Sequence, residues 1–205
     1  MSSIRPLIAA GAVAVLGAGV LAAAAAQPES TPASTASPTA HYPLPAQGEI
    51  PIIKQAEIEK ILATHGQRVL VVNHWATWCA PCVAELPYFQ DAQEEFAANG
   101  VQIVGMGMDY HVYEEEWPEY TNDTVERLGI TFPQFQLSVD TTVTVPYFSE
   151  KWSGGLPATF YYDAQGNKLG EHLGEISKEQ LYADIGRLLA QTDGKEHASE
   201  SGSGE

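Results

Sequence analysis

Hydrophobic and polar positions alternate with two different periods across residues 49–191, which predicts an α/β domain. Mostly apolar segments at 69–74, which begins with the continuous run Val69 to Val72, and at 101–108 are rich in β-branched residues and are typical of buried strands in a mostly parallel sheet. Between them, residues 80–99 predict a helix, because apolar side chains recur there at helical spacing. These side chains are Val83, Leu86, Phe89 and Phe96.

The remaining apolar segments are short and are separated by turn signals. They predict a strand at 50–53, a helix with Ile58, Ile61 and Leu62 on one face, and a helix at 114–128. Extended segments are predicted at 132–137 and 142–145, and a hairpin at 159–162 and 168–173. The last predicted helix begins with the capping box Ser177 and Gln180 and buries Leu181, Ile185, Leu188 and Leu189. Alternating strands and helices that end in a hairpin and a helix indicate an α/β sandwich with a central mixed sheet.

The segments on either side of this domain differ from it in composition. Residues 1–26 carry one basic residue, Arg5, and then a long uncharged run, which predicts an export signal peptide or an N-terminal membrane anchor. Either segment would place the remainder outside the cytoplasm, in the periplasm or at the outer face of the cytoplasmic membrane. Residues 27–48 are rich in Pro, Ser, Thr and Ala and predict a disordered linker. Residues 192–205 predict a disordered acidic tail.

Charge narrows the range of partners. The formal net charge is −16, from 26 acidic and 10 basic residues, and such a surface repels nucleic acid and anionic lipid. The densest acidic cluster, Glu114 to Glu116 with Glu119, is interpreted as a solvated helix start, where negative charge suits the helix dipole. We therefore expect neither nucleic acid nor a lipid surface as partner, and a highly charged single domain predicts a monomer.

Candidate chemistry lies where the first buried strand meets the first long helix. Cys79 and Cys82 are the only cysteines in the chain, and they stand three residues apart at the predicted helix start. The free N–H groups and the dipole of a helix start stabilise an anion, so we predict a lowered pKa for Cys79 and the role of attacking thiol. Cys82, one turn further on, is the resolving thiol. Pro81 fits the first turn, where no N–H is needed.

Two structural roles for the cysteine pair are weaker. A zinc site needs more good ligands, and the chain has no second cysteine pair or closely spaced histidine pair, so no metal is expected. A purely structural disulfide that closes so small a loop would restrict the unfolded chain little. The pair therefore predicts redox chemistry.

The sequence of residues 72–87, Val-Asn-His-Trp-Ala-Thr-Trp-Cys-Ala-Pro-Cys-Val-Ala-Glu-Leu-Pro, resembles the active-site stretch of thioredoxin-fold proteins. It is most similar to the exported TlpA/ResA/CcmG-like thiol-disulfide oxidoreductases. A second block, Gly-Gly-Leu-Pro-Ala-Thr-Phe at 154–160, resembles the cis-proline loop of the same family. With the order of strands and helices, the resemblance covers residues 49–191 and implies a thioredoxin-like fold with helices on both faces of the sheet.

The resemblance also implies roles for particular residues. Leu156-Pro157 would be a cis peptide bond beside the cysteine pair, leaving the preceding backbone free to pair with a substrate strand. Glu85 would be an acid that raises thiol pKa values and carries protons, whereas its alternative is an exposed helix glutamate. Asn73 stands where thioredoxin has a buried acid, which leaves proton handling to Glu85. Substrate contacts are expected at Trp78, Pro81 and Leu156.

The expected reaction is dithiol–disulfide exchange with client proteins that carry disulfides. It requires no metal and no organic cofactor. The chain contains no flavin or nicotinamide site, so a reductase of this kind implies a membrane-borne thiol electron donor.

Histidine and methionine residues near the motif have two interpretations. His74 occupies a strand position that is usually aromatic and apolar in the family, and we predict a neutral, hydrogen-bonded core histidine. The alternative is that His74 tunes the redox pair. Met106 and Met108 are predicted to pack in the core rather than to bind copper, because methionine is a common core residue. His111 is predicted to lie in a loop.

Three functions remain open from the sequence. The first is an extracytoplasmic disulfide reductase that acts on exported clients, with cytochrome c or copper-centre maturation as examples from the family. The second is a general disulfide oxidant, disfavoured because Ala80-Pro81 is more similar to reducing thioredoxins. The third is a copper metallochaperone that uses Cys79, Cys82 and a histidine. A peroxidase is disfavoured because the residues before Cys79 lack the peroxiredoxin pattern.

Overall fold

The computed structural model describes residues 42–113, 115–138 and 141–200, without the side chains of 141–143 and 194–200. The predicted signal or anchor at 1–26, most of the predicted linker and residues 201–205 lie outside these ranges. Within the described residues, no helix combines the length and apolar composition that crossing a membrane requires.

Six strands form one mixed sheet in the order β1-β4-β3-β2-β5-β6. They are β1 Ile52–Ile53, β2 Val69–Trp75, β3 Val101–Gly107, β4 Gln134–Leu137, β5 Ala158–Asp163 and β6 Lys168–Leu173. The pairs β1 with β4, β4 with β3 and β3 with β2 are parallel, whereas β5 is antiparallel to both β2 and β6. The predicted mixed sheet and its terminal hairpin are confirmed.

Helices cover both faces of this sheet. They are α1 Gln55–Thr64, α2 Ala80–Phe96, α3 Tyr110–Tyr113, α4 Trp117–Arg127, α5 Thr141–Phe148 and α6 Lys178–Glu200, and a 3-10 turn, Ala97–Asn99, follows α2. Because side chains alternate along a strand, Val69 and Val71 of β2 pack with residues of α2 and α6, while Leu70 and Val72 pack with residues of α1 and α5. All seven residues of β2 are buried, as the continuous apolar run predicts.

One predicted extended segment is wrong. Residues 142–145 belong to helix α5, although Thr and Val favour strands. Val145 and Phe148, three residues apart and therefore on one helix face, pack in the same cluster as Ile58 and Ile61 of α1. Burial against the sheet therefore outweighs local propensity.

The helix predicted at 114–128 is also shorter than expected. Helix α4 begins at Trp117, and the separate short helix α3 precedes it. His111, predicted to lie in a loop, belongs to α3, where its ring contacts that of Tyr110 with 5.5 Å between centroids.

The domain extends beyond both predicted boundaries. A disordered tail is predicted from Thr192, but α6 continues to Glu200. Arg68, in the loop before β2, binds this helix on either side of the predicted boundary. The Arg68 guanidinium donates to the Leu189 carbonyl at 3.1 Å and to the Thr192 hydroxyl at 3.1 Å, and it pairs with Asp193.

At the other end, Tyr42 already packs on the domain, although the sequence predicts a linker up to residue 48. Its N–H donates to the Thr64 hydroxyl at 3.1 Å, and its ring meets that of Phe135 edge-on. The compact structure therefore includes the end of the predicted linker.

Candidate active site

The cysteine pair lies at the junction of β2 and α2, and the two sulfurs form a disulfide. Cys79 is the N-cap of α2, and its sulfur accepts the backbone N–H of Cys82 at 3.4 Å. Pro81 occupies the first turn, where no backbone donor is required. The sequence prediction that the pair begins a helix is confirmed.

The two cysteine residues differ slightly in exposure. Cys79 is 6% exposed and Cys82 is completely buried, and both belong to the cluster that contains Trp75 and Leu86. Trp78, directly before the pair, is 50% exposed. Trp78 is therefore the exposed side chain next to the pair, and Cys79 is the more accessible of the two cysteines.

The loop before β5 contains the predicted cis peptide bond, between Leu156 and Pro157. Pro157 is buried, and Leu156 is half-buried against both apolar clusters. The indole of Trp152 donates to the Gly155 carbonyl at 2.6 Å, which fixes the chain just before the cis bond.

Glu85 is a buried side chain of α2, and the alternative of an exposed helix glutamate is wrong. It is 1% exposed, and its carboxylate accepts the Asn73 amide at 3.2 Å and the Ile176 N–H at 3.0 Å. Burial raises the pKa of Glu85 from 4.5 to about 7, although both of these hydrogen bonds act in the opposite direction. The nearby charge of Glu175 raises the pKa further.

The contact between Asn73 and Glu85 joins β2 to α2. Asn73 thus occupies the strand position expected from the resemblance and holds the carboxyl group from the next element. Sequence spacing places Glu85 one turn after Cys82 but gives no sign that Asn73 reaches it.

His74 lies on the opposite face of the sheet from Asn73, among aromatic rings. Its ring centroid is 4.4 Å from that of Phe148, 4.7 Å from that of Trp152 and 5.5 Å from that of Phe160. Burial lowers the pKa of His74 to about 3, so the ring is neutral. Neither ring nitrogen has a hydrogen-bond partner among the described residues, so the prediction of a hydrogen-bonded histidine is wrong.

The side chains invoked for copper do not gather at the cysteines. Met106 is buried in the same cluster as the rings around His74, and core packing is confirmed for it, while half-buried Met108 contacts both clusters. In the described part of the chain, no three His, Cys, Asp or Glu side chains form a group suited to a metal ion.

Asp109, an acid that the sequence pattern did not single out, follows β3 and is completely buried. Its carboxylate accepts both the backbone N–H and the hydroxyl of Thr77, two residues before Cys79. The available signal was the pair of glycines in β3, Gly105 and Gly107, which leave room for polar side chains from the next strand.

This arrangement defines a thioredoxin-fold protein with a Cys-X-X-Cys disulfide at a helix start and a cis-proline before an antiparallel strand. The AhpC/TSA family matches residues 49–167, more than half of the chain, and the chain belongs to this family. The family resemblance inferred from the motif is thereby confirmed.

Individual relatives agree with this assignment. The chain is 29% identical over 110 residues to thiol-disulfide oxidoreductase ResA of Bacillus anthracis, a match that covers 54% of this chain and 57% of that protein. It is 50% identical over 40 residues to ResA of Oceanobacillus iheyensis, which covers 20% of this chain and 21% of that protein. The chain thus matches little more than half the length of the Bacillus relative.

Among solved structures, the solution structure of a candidate thioredoxin from Neisseria meningitidis superposes with a TM-score of 0.51. The two are 20% identical, and the match covers 64% of this chain and 81% of that one. This likeness establishes the thioredoxin-like fold that the sequence predicts.

Proposed function

We propose that the protein is an extracytoplasmic thiol-disulfide oxidoreductase that reduces disulfides in exported client proteins. The observation that carries the proposal is the position of the Cys79–Cys82 disulfide at the N-terminus of α2, where Cys79 keeps 6% exposure next to the exposed Trp78 and Cys82 is completely buried. The matched ResA proteins, which are named as thiol-disulfide oxidoreductases, support it.

In the reduced enzyme, the Cys79 thiolate attacks one sulfur of the client disulfide. A bond forms between Cys79 and that sulfur, and the client's other sulfur leaves as a thiolate that takes up a proton. Cys82 then loses its proton and attacks the Cys79 sulfur, which releases the client's second thiolate and leaves Cys79 and Cys82 as a disulfide. Two electrons pass from the enzyme dithiol to the client.

Glu85 is the group suited to receive the Cys82 proton. It lies one turn after Cys82 on α2, both side chains are buried, and the raised pKa of Glu85, about 7, lets the carboxyl group both gain and release a proton near neutral pH. Burial thus prepares an acid–base group beside the thiol that solvent does not reach.

Client binding is proposed at Trp78, Pro81 and Leu156, with Pro157 shaping the loop that pairs with the client strand. Exposure supports this role, since Trp78 is half exposed and Pro81 lies at the surface. Clients in cytochrome c or copper-centre maturation are the examples that the family resemblance implies.

Export and electron supply complete the proposal. Residues 1–26 would direct the domain across the membrane as a cleaved signal or a retained anchor, and a membrane-borne thiol donor would return electrons to the disulfide. Neither step needs a cofactor in the described domain.

The reduction potential of the Cys79/Cys82 couple tests the direction of transfer. A value of about −220 mV or lower in glutathione buffers supports a reductase, whereas a value near about −120 mV would identify an oxidant of exported proteins.

A trapping experiment tests the order of attack. Cys82→Ser should accumulate a mixed disulfide between Cys79 and a model client, because the second attack is lost. Cys79→Ser is the matched control, and equal trapping through Cys82 in that variant would contradict the assigned roles.

A further inference from the structure

The turn that leads from β2 into α2 is held by a buried carboxylate from the turn that follows the neighbouring strand β3. Asp109 follows the end of the ladder between β2 and β3, where the Met108 N–H donates to the Trp75 carbonyl at 2.9 Å. One carboxylate oxygen of Asp109 accepts the Thr77 N–H at 2.9 Å and the Thr77 hydroxyl at 2.8 Å. The turn is therefore fixed two residues before Cys79.

The second carboxylate oxygen of Asp109 is held from the other side. It accepts the hydroxyl of Thr121 in α4 at 3.0 Å and lies 3.5 Å from the amide nitrogen of Gln136 in β4. The Gln136 amide also donates to the Thr121 hydroxyl at 3.0 Å, and its oxygen accepts the Asp109 N–H at 3.2 Å. Asp109 is thus oriented by two further elements.

Glycines in β3 make this arrangement possible. Gly105 and Gly107 pair in register with Gln134 and Gln136 of β4. A Cβ atom on Gly107 would lie 2.3 Å from the Gln136 amide nitrogen, and one on Gly105 would lie 2.0 Å from the Gln134 amide oxygen. The glutamine side chains therefore lie directly over the glycines.

Gln134 holds the other end of the same turn, because its amide oxygen accepts the indole N–H of Trp75 at 3.0 Å. We name these four side chains the polar layer: Asp109, Thr121, Gln134 and Gln136. Three of its members, Asp109, Thr121 and Gln136, are almost completely inaccessible to solvent, and the layer contacts the turn at Trp75 and at Thr77.

We propose that Asp109 is a positioning residue that keeps Cys79 at the N-cap of α2, where the helix start stabilises its thiolate. This inference rests on the proposed function, since it concerns the same thiol. The inference goes beyond the proposed function because it assigns the reactivity of Cys79 to a side chain in the turn after β3, which contacts the β2–α2 turn and not the sulfur.

The direction in which the Cys79 thiol pKa shifts distinguishes the positioning role of Asp109 from a simple effect of its charge. Loss of a buried negative charge near a thiol lowers the thiol pKa, because the thiolate is repelled less. Loss of the N-cap geometry raises it, because the sulfur no longer faces the N–H groups of α2. Asp109→Ala removes both the charge and the anchor, so the direction of the shift shows which dominates.

The test measures the Cys79 thiol pKa by ultraviolet thiolate absorbance and the reduction potential in glutathione buffers. Asp109→Ala should raise the thiol pKa by about half a unit. Its potential should become more negative, because the reduced form loses thiolate stabilisation. Thr77→Val, which keeps the charge and removes one of the two bonds to Thr77, should give a smaller shift of the same sign and decides the test if Asp109→Ala does not fold.

Thr144→Val is the matched control. Thr144 is also buried, and its hydroxyl donates to Gln55 at 3.1 Å between α5 and α1, on the opposite face of the sheet. This variant should lose stability without a change in thiol pKa or potential. A fall in the thiol pKa of Asp109→Ala, or wild-type values in Thr77→Val, would overturn the proposal.

The thiol pKa needs no client, so the test is separate from the proposed function. A wild-type protein that fails to reduce a disulfide substrate such as insulin would contradict the proposed function and leave the comparison of thiol pKa values valid.

Discussion

At the scale of single residues, burial changes the chemistry of two titratable groups on opposite faces of β2. Glu85, a residue of α2, packs on the Asn73 face of β2 with a raised pKa, and His74 of β2 faces the aromatic rings of Phe148 and Trp152 with a lowered pKa. Both side chains are at most 1% exposed, so the cost of desolvating the charged form dominates in each case.

Glu85→Gln should remove a pH-dependent loss of stability. The pKa of Glu85 is about 7 in the folded protein against 4.5 ordinarily. The stability that the protonated Glu85 carboxyl group gives the folded protein is therefore fully present below about pH 4.5 and is lost as the pH rises through about 7. This loss amounts to about 3 kcal/mol in wild type and disappears in the glutamine variant. Denaturant unfolding of the oxidised protein at pH 4.5 and 8 measures the difference.

The control for this prediction is Glu175→Gln, which removes an exposed neighbouring charge and keeps the buried carboxyl group. It should retain most of the wild-type pH dependence. If Glu85→Gln has the same pH dependence as wild type, the carboxyl group ionises as readily in the folded as in the unfolded protein.

His74→Phe should make the fold more resistant to acid. The pKa of His74 is about 3 in the folded protein against 6.5 ordinarily. The neutral ring therefore costs the folded protein no stability above about pH 6.5, and the folded protein loses stability as the pH falls toward 3. Between pH 7 and 4, wild type should lose about 3 kcal/mol more than the phenylalanine variant. Denaturant unfolding across this range is the measurement.

The same variant tests whether His74 tunes the redox pair. Its reduction potential should equal that of wild type, because His74 packs with the apolar cluster on the face away from both cysteines. A changed potential with an unchanged fold would show that the histidine acts through the sheet.

At the scale of elements, the register between β3 and β4 decides where polar side chains can be buried. Gly105→Ala should lower the free energy of unfolding by about 1 to 3 kcal/mol, because its Cβ would displace the Gln134 amide from the Trp75 indole. Gly170→Ala in β6 is the matched control, since its Cβ would meet only Tyr161, at 3.8 Å. Equal losses in both variants would mean that the glutamine contact contributes nothing.

At the scale of the whole molecule, the net charge of −16 should select among clients. Basic disulfide proteins should be reduced faster than acidic ones at low ionic strength, because an acidic surface attracts the former and repels the latter. Steady-state rates in a salt series measure this, and the two rates should converge as salt screens the charges. A small uncharged disulfide, as the control, should show no salt dependence.

Much of the fold follows from local pattern because the relevant physics is local. The continuous apolar run of β2, the hairpin of β5 and β6 and the capping residue Ser177, whose hydroxyl accepts the Gln180 N–H, are all visible in the chain. Helix α5 is not, because Thr and Val favour a strand, and only the tertiary structure shows that Val145 and Phe148 pack on the sheet from one helix face.

The sequence by itself determined the fold class and the position of the cysteine pair at a helix start, because periodicity and a short motif carry that information. The cis bond before Pro157 was expected only from the family resemblance, since the local sequence also suits an ordinary proline at the start of a strand. Tertiary structure alone decided that Glu85 is buried beside Asn73 and that Asp109 holds Thr77. Those contacts join residues that are far apart in the chain, and their chemistry depends on exclusion from water, which no local pattern records.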